Sequence, residues 1–360
     1  MTQVWWKNDC LAINEIVKTQ AQERQGVLTK PPGSLGLLEE VAITLASLYG
    51  DDKPEIKQPL ITIFAADHGV VAQGVSAFPQ AVTVEMIRNF VKGGAAISVL
   101  AKTNDAQLNV VNCGTAFAVD FADEYEALLD KQVASGTADL SLESAMSAEQ
   151  LEQALSIGQH VVEQGKKDGI DFFIAGEMGI GNTTAAAALG CAYLGQSADK
   201  MTGRGTGIDD AGLNNKISVI EKSLARLNLS GLSAEQILQE LGGFEIAAIA
   251  GAYIRCAQLG IPALVDGFIT TAAALAACRM NPQVHDWLLF SHQSEEQGHA
   301  FMLEALKAKP LLSLGLRLGE GSGAAIALPL LRQACALHNG MATFAEAAVS
   351  EAATSATKDE

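Results

Sequence analysis

Charge is scarce in this chain: Asp, Glu, Lys and Arg together make up 18% of its 360 residues, and aromatic residues only 5%. What charge there is leans acidic, with 41 acids against 24 bases and a formal net charge of -17, and no Lys/Arg cluster reverses the sign locally. A phosphate backbone would be repelled, so nucleic acid is not an expected partner. Paired cysteines are missing as well. The six, at positions 10, 113, 191, 256, 278 and 335, are scattered without a Cys-x-x-Cys, as small core residues in a reducing cytoplasm would be. The opening MTQVWWKNDC has no apolar core of signal-peptide length, so secretion is not expected. Met178 to Ala198 is free of charge and long enough to cross a bilayer, but Asn182, Gln196, two threonines and four glycines make it a poor lipid segment. It reads as a buried loop and helix, and no membrane partner is expected.

The standard catalytic signatures are absent too. No Gly-x-Gly-x-x-Gly follows the first apolar run, where Asp67-His68-Gly69 stands instead. No Gly-Lys-Ser/Thr closes the glycines of Thr202-Gly203-Arg204-Gly205-Thr206-Gly207 into a Walker loop, although a backbone-amide nest for phosphate there stays open beside a plain flexible loop. A Gly-x-Ser-x-Gly elbow and a His-Glu-x-x-His are missing. The nearest approach to metal spacing, His292-x-x-Glu295-Glu296-x-x-His299, reads as a solvated helix face, and neither a metal nor another cofactor is expected.

What is present is a rhythm. Hydrophobic residues reach 49% with a mean hydropathy of +0.19, enough for a sizeable core, and 360 residues allow two domains or one large α/β domain with an appendage. Short apolar runs at 60–66, 108–111, 170–175, 262–265 and 287–290 alternate with helical stretches and each end in polar or glycine residues, the pattern of a parallel α/β sheet. Residues 117–150 are acidic and read as surface. The first helix is expected over Asp9 to Arg24 and the second over Leu35 to Tyr49 with Ser34 as its cap, Lys30 being placed to reach an anion there. In parallel sheets ligands gather beyond the carboxyl ends of the strands, so Asp67, Asn112, Glu177, Asp266, Ser291 and Glu320 could share one crevice.

Two carboxylates stand in glycine frames. Glu177 lies in Gly176-Glu177-Met178-Gly179-Ile180-Gly181 ahead of an alanine-rich helix whose first amides could meet an anion. Glu320 lies in Gly319-Glu320-Gly321-Ser322-Gly323, between Leu311 to Leu318, read as a buried strand or tight apolar segment, and a helix from Ala324 to His338. An acid walled by leucine and alanine is pushed towards a raised pKa, which suits a general base near neutrality. The same frame also fits a connector whose glycines only satisfy turn geometry, with Glu320 set against the helix dipole.

Taken in order, Lys-Pro-Pro-Gly-Ser-Leu-Gly (30–36), Ala-Asp-His-Gly-Val (66–70), Gly-Glu-Met-Gly-Ile-Gly-Asn-Thr-Thr (176–184), Asp-Gly-Phe (266–268), Ser-His (291–292) and Arg-Leu-Gly-Glu-Gly-Ser-Gly-Ala (317–324) resemble the nicotinate-nucleotide:dimethylbenzimidazole phosphoribosyltransferase family over about 28–340. The resemblance implies transfer of ribose 5-phosphate from nicotinate mononucleotide to 5,6-dimethylbenzimidazole, giving nicotinate and α-ribazole 5'-phosphate in assembly of the cobalamin lower ligand. It implies a homodimer whose chain has a Rossmann-like parallel sheet flanked by helices, expected over 51–294, and a small helical domain from both chain ends, expected over 1–50 with 295–360.

The family's catalytic base falls on Glu320, and Glu177 matches a second acid. Phosphate-binding positions carry over to the 203–207 loop, with Gly203 and Gly205, and to Lys216 and Ser291. Leu318 and the stretch holding Phe78, Pro79, Glu85 and Met86 would line the base pocket. Gly176, Asp266, Gly319 and Gly321 complete the expected substrate-binding set. Glu85 stands where the family has glutamine as often as glutamate, so its charge is expected to bear on which bases are accepted. A pyridinium leaves with its ring nitrogen neutral, so the reaction asks for positioning and one base rather than an acid to expel the leaving group.

Overall fold

The apolar run after Gln58 becomes strand β1, Pro59–Ala66, with all eight residues buried, as a strand covered on both faces requires. In the computed structural model, which describes residues 4–205 and 207–349, five more strands follow: β2 Gln107–Gly114, β3 Leu128–Asp130, β4 Phe172–Met178, β5 Ala263–Val265 and β6 Leu288–Phe290. They form one sheet in the order β3-β2-β1-β4-β5-β6, with every pairing parallel. The chain winds outward from β1 to β3, returns to β4 beside β1, and winds outward again to β6. Loops diverge where that order reverses, and a crevice opens at the strands' carboxyl ends. This is the Rossmann-like α/β architecture flanked by helices.

Contacts divide the chain into two units. One contains the sheet and comprises the residues up to Leu11 with Lys57–Leu328; the other comprises Ala12–Ile56 with the residues from Pro329 onward. The stretch 295–328, expected with the small helical unit, therefore lies with the sheet, and residues 350–360 of that expectation fall outside the described residues. In the second unit, helices Glu15–Val27 and Leu37–Tyr49 pack together, and the Arg24 guanidinium donates to the carbonyls of His338, Asn339 and Met341 at 2.8, 3.1 and 3.2 Å. Pro329 sits inside helix Ser322–Gly340, at the point where the two units meet in sequence.

Several sequence expectations are corrected. Leu311 to Leu318 is not a strand: Leu312 makes one isolated bridge to His292, while Leu314 and Leu318 are 58% and 60% exposed. Gly315 turns this segment with φ +70°, and its leucines do not enter the core. β3 went unread because it is a three-residue edge strand with only Leu128 buried. The first helix starts at Glu15, where the Asn14 side chain accepts from Val17 N at 3.1 Å. The second starts at Leu37 after Gly36, not at a Ser34 cap, because Glu39 takes the Leu35 amide at 3.0 Å. Lys30 is buried, with its ammonium 2.8 Å from Glu39. The His292 to His299 stretch is no solvated helix face: both histidines are buried, and the helix begins only at His299. Among the described residues no helix is long and apolar enough to cross a membrane.

Candidate active site

A cavity of about 460 Å³ opens beyond the carboxyl ends of the strands. Its wall is assembled from segments far apart in sequence: Phe78, Val82 and Met86 after β1, Glu177 to Thr183 at the end of β4, Asp266 to Thr270 after β5, His292 and Glu296 after β6, and Arg317 to Glu320. The volume falls within the range of small-molecule sites.

Glu320 is held in a conformation that side chains rarely adopt. Its φ is +64°, between Gly319 at +85° and Gly321 at +80°. A left-handed non-glycine residue costs about 1 kcal/mol and persists only where its surroundings fix it. Here they do so by close approach. A Cβ on Gly176 would strike the Glu320 carbonyl, one on Gly319 would strike Glu177 Oε1, and one on Gly323 would strike the His292 ring. Asp266 accepts from Gly321 N at 3.2 Å and Ala324 N at 2.8 Å, so a carboxylate from β5 caps the helix that starts at Ser322 and complements its dipole. Ser322 Oγ closes the turn on the Gly319 carbonyl at 2.7 Å.

Three acids meet in this frame. Glu320 is 7% exposed, and burial raises its pKa against the pull of the Ile97 amide. Its Oε2 is sealed with no hydrogen-bond partner among the described residues. Glu177 is pushed up to about 8, first by burial and then by Glu245 and Asp266, while the Asn182 amide and the Glu320 N–H oppose the rise. Burial lifts Asp266 to about 7 against the backbone amides of Ala324, Gly267, Gly321 and Gly323. On the other side, Lys216 is buried and brought down to about 8, with Glu296 opposing. Its ammonium donates to Thr183 Oγ1 at 2.8 Å and to the Gly203 carbonyl at 3.3 Å.

A sealed network underlies the β4 loop. His68 Nε2 and Glu245 Oε1 are 2.7 Å apart with both side chains fully buried, and Asp67 accepts from Thr83 Oγ1 at 2.6 Å and Ala116 N at 2.8 Å. Thr83 Oγ1 in turn accepts from Ile180 N at 3.2 Å, which ties the network to the cavity wall. Burial lowers the His68 pKa, but the Glu245 and Asp67 charges outweigh it, so the net shift is upward and favours the imidazolium.

Of the residues expected at the site, Glu320, Glu177, Gly205, Asp266, Gly319, Phe78, Met86 and Leu318 line the cavity. The others stand back from it. Gly176 and Gly321 press against one another beneath Glu320, and Gly203, where a Cβ would strike Glu296, presents its carbonyl to Lys216. Lys216 lies one residue behind the wall, against Thr183. Ser291 is fully buried, its hydroxyl 3.3 Å from the Asp266 carbonyl and 3.0 Å from His292 Nδ1. Pro79 and Glu85 are exposed, Glu85 on helix Ala81–Val91 beside the lining residue Met86. Sequence reasoning gave no site role to Glu245, Glu296, Arg317 or His292. Only Glu245 lay outside every quoted motif.

The family profile described as phosphoribosyltransferase matches residues 11–349. The chain is 55% identical to a protein of Pseudomonas putida named nicotinate-nucleotide–dimethylbenzimidazole phosphoribosyltransferase, over 98% of this chain and 99% of that one. A protein of the same name from Xanthomonas oryzae is 53% identical over 98% of this chain and 100% of its own. A crystal structure of the nicotinate-nucleotide–dimethylbenzimidazole phosphoribosyltransferase of Thermus thermophilus superposes with a TM-score of 0.90 at 44% identity, covering 94% of this chain and 100% of that one.

Proposed function

The chain belongs to the nicotinate-nucleotide–dimethylbenzimidazole phosphoribosyltransferase family, and from that premise we propose how its cavity moves ribose 5-phosphate from nicotinate mononucleotide to 5,6-dimethylbenzimidazole. Glu320 is the base. It takes the benzimidazole N–H proton while the other ring nitrogen attacks the anomeric carbon, and nicotinate departs with its ring nitrogen neutral. One in-line displacement turns the β-linkage into the α-linkage of α-ribazole 5'-phosphate. The observation that carries this reading is Glu320 itself, buried at 7% exposure, strained, and sharing one wall with Glu177, Asp266 and Leu318. A carboxylate with a raised pKa is a stronger proton acceptor than one in water.

Lys216, Gly205 and the amides around Thr183 hold the phosphate, and Phe78, Met86 and Leu318 hold the incoming ring. Glu177, pushed up to about 8 by burial, ionises more readily once the pyridinium stands beside it and then faces the positive charge that develops on the ribosyl group. The proposal includes a homodimer in the cytoplasm. Phe78 and Leu318, 50% and 60% exposed in the cavity wall, are surfaces that a second copy would cover, and all six cysteines are unpaired.

The test is direct. Protein mixed with nicotinate mononucleotide and 5,6-dimethylbenzimidazole should release nicotinate and α-ribazole 5'-phosphate in equal amounts. Binding of both ligands without nicotinate release would mark a base-binding protein and end the catalytic reading.

A further inference from the structure

His292 forms part of the cavity wall, yet the mechanism above gives it no task. Its ring is held along the Nδ1 edge. Gly323 lies so close that a Cβ there would strike Cε1, Nδ1 and Cγ, and Gln293 N bonds to the Leu312 carbonyl at 2.9 Å, holding the backbone. The groups around Nδ1 favour one tautomer. Ser291 Oγ donates to the Asp266 carbonyl at 3.3 Å, so its lone pairs are left for His292 Nδ1–H at 3.0 Å, and Asp266 Oδ1, 3.8 Å from Nδ1, favours a proton on that same nitrogen. Nε2 is then a bare acceptor with no hydrogen bond among the described residues.

We infer that His292 Nε2 accepts a hydrogen bond from a ribose hydroxyl of the nucleotide, which makes His292 a substrate-positioning and sugar-specificity residue. The inference rests on the phosphoribosyl reading and follows from counting donors. Nicotinate mononucleotide with its phosphate and carboxylate ionised has only two hydrogen-bond donors, the 2'- and 3'-hydroxyls. Dimethylbenzimidazole has one, and Glu320 takes it. The other acids are less free to serve: Asp266 is occupied by backbone amides, and Glu177 by Asn182 and the Glu320 N–H. Glu296 lies towards Lys216, at the phosphate end. Burial lowers the His292 pKa and keeps the ring neutral at pH 7, so that Nε2 retains its lone pair.

The test compares nicotinate mononucleotide with its 2'-deoxy and 3'-deoxy analogues in wild type, His292→Asn and His292→Gln. Asn keeps a donor near Nδ1 and loses the cavity-facing acceptor, whereas Gln places an amide oxygen near Nε2. In wild type, one deoxy analogue should lose about tenfold or more in kcat/KM, the size expected for one hydrogen bond left unmade. His292→Asn should lose a similar factor on the natural nucleotide and almost nothing further on that analogue, with the benzimidazole KM unchanged, and His292→Gln should recover most of the loss. Full additivity of the Asn and deoxy effects, or a loss confined to the benzimidazole KM, would overturn the inference. The ring ¹⁵N signals of His292 in the unliganded wild type provide a test that needs neither turnover nor a folded variant. They should report a protonated Nδ1 and a bare Nε2, and the opposite tautomer would overturn the inference even if the wild type turns over as proposed.

Discussion

At the Glu320 end of the cavity the carboxylates are held largely by backbone, whereas at the Lys216 end a single ammonium rests on one hydroxyl and one carbonyl. Glu320 has glycines on both sides, three consecutive left-handed residues, and a helix start capped from another strand. Lys216 has a long flexible stem and a partly lowered pKa. The difference matches the two tasks. A base must sit within a fraction of an ångström of the proton it takes, while a phosphate can be held by a point charge with looser geometry. The fixed end should therefore govern turnover and the loose end affinity.

The sharpest way to break that division is Glu320→Gln, which should lower kcat by about 10² or more while leaving nucleotide affinity nearly unchanged. Unchanged turnover in steady-state assays would take Glu320 out of the role of base. Gly319→Ala should come next, because its Cβ must sit at φ +85° against Glu177 Oε1. A fall in kcat of about tenfold with a lower melting temperature is expected, consistent with strain of roughly 1–3 kcal/mol. A normal melting curve and normal kcat would mean that the frame is not rigid. Lys216→Ala tests the other end: the nucleotide KM should rise about tenfold with kcat changed far less, through loss of a charge-assisted contact to phosphate. If kcat falls instead and KM holds, the two ends are not separate.

The smallest effect concerns Glu177. It titrates near 8 in the folded chain against an ordinary value of 4.5, so between these values the folded chain keeps a proton that the unfolded chain has released. Its contribution to stability is fullest below the unfolded pKa and is lost as pH rises through 8. Glu177→Gln cannot ionise, so its melting temperature should gain on wild type as pH is raised from about 5 to about 9. A difference that stays constant over that range would show that Glu177 is not shifted upward.

How much of this was legible in the sequence follows the same contrast. β1 and the first part of β4 stood out as short, mostly apolar runs because both faces of the central strands are covered. Glu177 and Glu320 stood out because only glycine lets the two segments press together, as at Gly176 and Gly319. The signal weakened wherever a residue's role depends on what crosses it from elsewhere. Glu245 reads as an ordinary acid in the first turn of a helix, yet it is fully buried on His68. Leu314 reads as core but is exposed, and Ser291 reads as a ligand group but spends its hydroxyl inside the wall. Lys30 shows the same limit in the second unit, where Glu39 takes the charge that looked free for an anion.

The central claim is that burial readies Glu320 to take the proton from the incoming ring. The most direct test is the ratio of kcat for wild type to kcat for Glu320→Gln, followed across pH with nicotinate mononucleotide and dimethylbenzimidazole saturating, since titration of the acceptor cancels in that ratio. The account predicts a ratio that climbs with pH and levels off only above the ordinary carboxylate value of 4.5, as the buried acid ionises. A ratio near one at every pH would contradict it.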